Sequence, residues 1–115
     1  MTGATELLGE WLDRELDGVP QELAVRIRTA LPPDWRSTTV TRAPAVLAGA
    51  AATELRGLLE RGCDARWAAP GLLTVDALVT YACQMLAYCG ADIDAGAVGV
   101  LNSISLTLAP RGSVA

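Results

Sequence analysis

Apolar residues recur along most of this chain at the three-and-four spacing of helices, and glycines and prolines cut the pattern into segments. The first predicted helix covers residues 6–17, with Thr5 as N-cap and Glu6 in its first turn, where a carboxylate complements the positive end of the helix dipole. Leu8, Trp11, Leu12, Glu15 and Leu16 share one side, while Glu6, Glu10, Asp13 and Asp17 form an outward stripe. Gly18 stops this helix, and Pro20 opens a second over about residues 20–31. That helix turns Leu23, Ile27, Ala30 and Leu31 inward and Arg26 outward. Pro32-Pro33 ends it, and residues 34–42, without a helical period, read as a loop anchored by Trp35.

A third helix is predicted from Pro44 to Arg61, with Gly62 as its stop and Leu47, Ala51, Leu55, Leu58 and Leu59 as its inner stripe. The run Ala48 to Ala52 has so little side-chain bulk that another helix can come close to its backbone. Gly49 within it costs on the order of 1 kcal/mol of helix propensity, which implies a packing role. The fourth helix, about 74–89, takes Thr74 as N-cap, Leu73 and Leu78 as the staple, and Gly90 as its end. It is apolar nearly all the way round, with Asp76 as its only charge, so it belongs at the centre of a domain or under a partner.

A fifth element begins at Asp94, and Ala97, Leu101, Ile104 and Leu108 recur at helical spacing. Val98, Val100, Ile104, Leu106 and Leu108 also alternate as in a strand, but a lone strand in a helical chain would have no partner. The helix is therefore the preferred reading. The expected fold is all-α: one domain, residues 1–115, built as a compact bundle of four or five helices around the central apolar helix, with 110–115 as a loose tail.

Composition narrows the chemistry. Hydrophobic residues make up 51% and charged residues 19%, the latter against roughly 25% in an average soluble domain. Up to Asp17, five carboxylates face one arginine, which accounts for the formal net charge of −4; the remainder of the chain balances. From Trp67 to Pro110 the charged residues are Asp76, Asp92 and Asp94 alone. An acidic chain without lysine is poorly suited to nucleic acid, whose phosphates need a basic face. The absence of histidine removes Ser-His and Cys-His pairs and imidazole metal sites, and the absence of lysine removes a P-loop and Schiff-base chemistry. No cofactor or metal is expected.

Cys63, Cys83 and Cys89 lack paired metal spacing, and the two on the fourth helix read as small buried hydrophobes. The N-terminus has neither a basic region nor a long apolar one, so a cytoplasmic, reduced protein is expected. At 74–89 the fourth helix falls short of the ~20 residues of a membrane span, and Asp76, Thr80 and Gln84 interrupt it. No span is expected.

Asp76, Thr80, Gln84 and Tyr88 lie four apart on that helix and make one slanted polar line. It faces water, a cavity or a partner. If Asp76 were buried, Arg56, Arg61 or Arg66 would be its counter-charge. These four residues, with Tyr81, Leu101 and Ile104, are the candidate contact residues for a ligand or a partner; no catalytic set emerges. The reading leans away from an enzyme and toward a small interaction or assembly subunit, a homo-oligomer or part of a larger complex, whose interface is the charge-poor C-terminal half. The alternative is a helical binder of a small apolar ligand.

Overall fold

The computed structural model describes residues 6–62, 65–88 and 93–108. Within them the chain forms five helices: α1 (Leu8–Glu15), α2 (Gln21–Ala30), α3 (Ala43–Arg61), α4 (Ala65–Tyr88) and α5 (Ile93–Leu108). No strand occurs among the described residues; Leu7 and Thr39 make a single antiparallel bridge beside a 3₁₀ turn at Trp35–Ser37. The contested segment is helical. Residues 110–115 lie outside the described residues.

The amphipathic reading of α1 holds: Leu8, Trp11, Leu12 and Leu16 are buried, although Glu15 is exposed. Gly18 and Gly62 take positive φ of 87° and 86° where α1 and α3 end, the backbone state that favours glycine. On α2, Ala24, Ile27 and Leu31 turn inward and Arg26 outward. The segment expected as a loop is tied down by backbone bonds from Leu8 N–H to the Thr38 carbonyl (2.7 Å) and from Val40 N–H to the Glu6 carbonyl (3.1 Å). Its Trp35 is buried, with the Arg36 guanidinium 4.6 Å from the ring centre.

The helix predicted for 74–89 begins nine residues earlier, at Ala65, and runs through Pro70. A proline there has no N–H for the carbonyl four residues back, a break that costs about 3 kcal/mol in an isolated helix. Tertiary packing overrides it. Thr74 is consequently no N-cap: it is fully buried, and its hydroxyl donates to the Pro70 carbonyl at 3.0 Å. With 24 residues, α4 also loses the length argument against a membrane span, and Ala68–Tyr88 is long and apolar enough to cross one. One stripe of it, Thr74, Leu78, Ala82 and Met85, is fully buried against the rest of the chain, while 33% of the segment as a whole is buried. α4 packs on α2, α3 and α5, and its tyrosines meet Trp11 of α1.

α3 carries both α4 and α5 along its length. Ala48, Ala50, Ala51 and Ala52 are buried as the low bulk of that run implied. Two other glycines sit where helices approach most closely. A methyl group on Gly71 of α4 would fall 2.6 Å from Leu58 of α3, and one on Gly96 of α5 would fall 2.6 Å from Leu86 of α4. Gly49 has no such neighbour within 4 Å, so the packing role expected of it is absent. Leu59, expected inside, is 56% exposed.

These environments predict opposite signs for the same chemical change. Gly49→Ala should raise stability by about 0.5–1 kcal/mol through helix propensity alone. Gly71→Ala should lower it by about 1–3 kcal/mol, since Leu58 must move inside a packed core. Urea denaturation of the two variants checks this. Equal shifts would contradict the packing described.

Candidate interaction surface

The polar line on α4 does not act as one unit. Four residues advance a helix by slightly more than a turn, so the line rotates by about 40° per step and by about 120° from Asp76 to Tyr88. Asp76, Thr80 and Gln84 face outward and are exposed. Asp76 is not buried, so the condition under which it would need Arg56, Arg61 or Arg66 as a counter-charge is not met. Tyr88, rotated toward α1, has its hydroxyl on protein instead.

That hydroxyl donates to Oε1 of Glu6 at 2.5 Å, and Nη2 of Arg14 lies 2.7 Å from Oε2 of the same carboxylate. Glu6 was expected on the outward stripe of α1. It instead precedes the helix, is 8% exposed, and both of its oxygens are engaged. The Tyr88 hydrogen bond, with Arg14 adding to it, holds the Glu6 carboxyl below the usual carboxylate range despite the opposing cost of burial. Trp11 backs this clasp, edge-on to Tyr81 at 5.9 Å and tilted against Tyr88 at 6.4 Å. Tyr81 is half-buried, and that burial, with Glu15 adding to it, raises its phenol pKa. Arg14, Glu6 and Trp11 escaped the sequence reading as a group. The available signal was Arg14 itself, the single base in the acidic N-terminal segment and two turns beyond Glu6.

Asp13 forms a second, more exposed junction. It pairs with Arg36 beside Trp35 at 2.9 Å and with Arg28 of α2 at 3.5 Å, and these arginines hold its carboxyl below the usual range. Two other expectations change. Cys83 is exposed on α4 rather than packed inside, and Cys89 lies outside the described residues.

Leu101 and Ile104 belong to different faces of α5. Val100 is buried and Ile104 half-buried against the core, whereas Val98, Leu101 and Leu106 are 55%, 62% and 77% exposed. Gly99, Asn102 and Ser105 complete the outer face, and no charged residue follows Asp94 before Arg111. An outward helix face without charge, carrying three large apolar side chains, is unusual for a surface facing only water.

A cleft of about 440 Å³ opens between α2 and the first half of α4. Pro20, Leu23, Ala69, Pro70 and Leu73 line it, with Glu22 and Arg26 at the rim. Asp76, Thr80, Gln84 and Tyr81 take no part in it. Among the described residues no group of three or more His, Cys, Asp or Glu side chains is placed to hold a metal ion. No family model, no curated protein and no solved structure matches this chain.

The clasp predicts a pH dependence. Glu6 is more acidic in the folded state than in the unfolded chain, so its contribution is present above the unfolded value of about 4.3 and is lost as pH falls through the lower folded value. Asp13, lowered in the same direction, adds to the same window. Tyr88→Phe should cost about 1 kcal/mol at neutral pH and flatten the acid limb of a stability–pH curve. An acid limb identical to that of the unmodified protein would show that Tyr88 does not hold Glu6.

Proposed function

We propose that this protein is a small non-enzymatic interaction or assembly subunit, homo-oligomeric or docked on a larger complex, that works through its charge-poor C-terminal half. The observation that carries the reading is the outer face of α5, where Val98, Leu101 and Leu106 stand exposed on a helix without a charge after Asp94. Burying such a face against protein gains roughly 25 cal/mol per Å² of apolar area and desolvates no ion. Absence of histidine and lysine argues against most acid–base and covalent catalysis, and the acidic balance argues against nucleic acid. The exposed Cys83 thiol suits a reducing cytoplasm. A mass above that of the monomer by light scattering at micromolar concentration, or a stoichiometric co-purifying protein, is the expected result. A strictly monomeric protein without a companion would contradict it.

The second reading, a binder of a small apolar ligand, has one observation in its favour: the α2–α4 cleft falls within the 300–1,000 Å³ range of ligand sites and is walled mainly by apolar side chains. If it holds, a hydrophobic fluorophore should bind the protein, and Leu73→Asp, which places a charge on the wall, should abolish that binding. Unchanged binding in this variant would dispose of the cleft.

A further inference from the structure

We draw no further inference here: the strongest candidate, the apolar cleft between α2 and the first half of α4, belongs to the site already described, and Glu22 and Arg26 at its rim, opposite charges one helical turn apart, favour no one class of ligand.

Discussion

Close approach between helices is the constraint on which the structure depends. α3 presents buried alanines at 48 and 50–52, and the helices stacked on it meet their neighbours at glycines: Gly71 under Leu58, Gly96 under Leu86. Interiors pack at crystal-like density, so a methyl group at either point would force the facing leucine side chain to shift. This explains why α4 passes through Pro70 without ending. The lost hydrogen bond costs about 3 kcal/mol in an isolated helix, whereas breaking α4 at that point would forfeit its packing against both α2 and α3.

At the other end of α4 the attachment is made by long side chains. α1 reaches α4 through Trp11 on Tyr81 and Tyr88 and through the Glu6–Tyr88 hydrogen bond. A carboxylate nearly removed from solvent is costly unless it is paired, and here a phenol hydrogen-bonds one oxygen while a guanidinium forms an ion pair with the other. Glu6 thereby fixes the chain entry into α1, and the backbone bonds between residues 6–8 and 38–40 hold the Trp35 turn alongside. The polar line on α4 thus divides by rotation: its first three members meet solvent, and its last secures α1.

The architecture was legible where the signal is local and periodic. Gly18, Pro20, Pro32 and Gly62 bounded helices because proline and glycine act on the backbone directly, and the stripe of Leu8, Trp11, Leu12 and Leu16 follows from helical geometry alone. The misread features all depend on partners distant in sequence. Thr74 resembles an N-cap by its neighbours, yet packing by α2 and α3 carries the helix back to Ala65. Glu6 falls on the acidic stripe by periodicity, but it lies outside the helix and its partner Tyr88 is 82 residues away. Leu59 was placed by helical spacing and Cys83 and Gly49 by residue type, and neither signal says which flank of a helix its neighbours cover. The candidate contact residues divided in the same way: α5 periodicity could place Leu101 and Ile104 on one stripe, but not show that the core covers Ile104 and leaves Leu101 outside.

What the packing leaves over is the outer face of α5. Its inner residues, Val100 and Ile104, meet the core, and its outer ones, Val98, Leu101 and Leu106, are each more than half exposed. Whether a partner covers that face is therefore the most direct check of the proposed interaction role. With a photo-crosslinker placed at Leu101 in cells, that proposal predicts a crosslinked protein product, whereas no protein crosslink together with a monomeric mass by light scattering would contradict it.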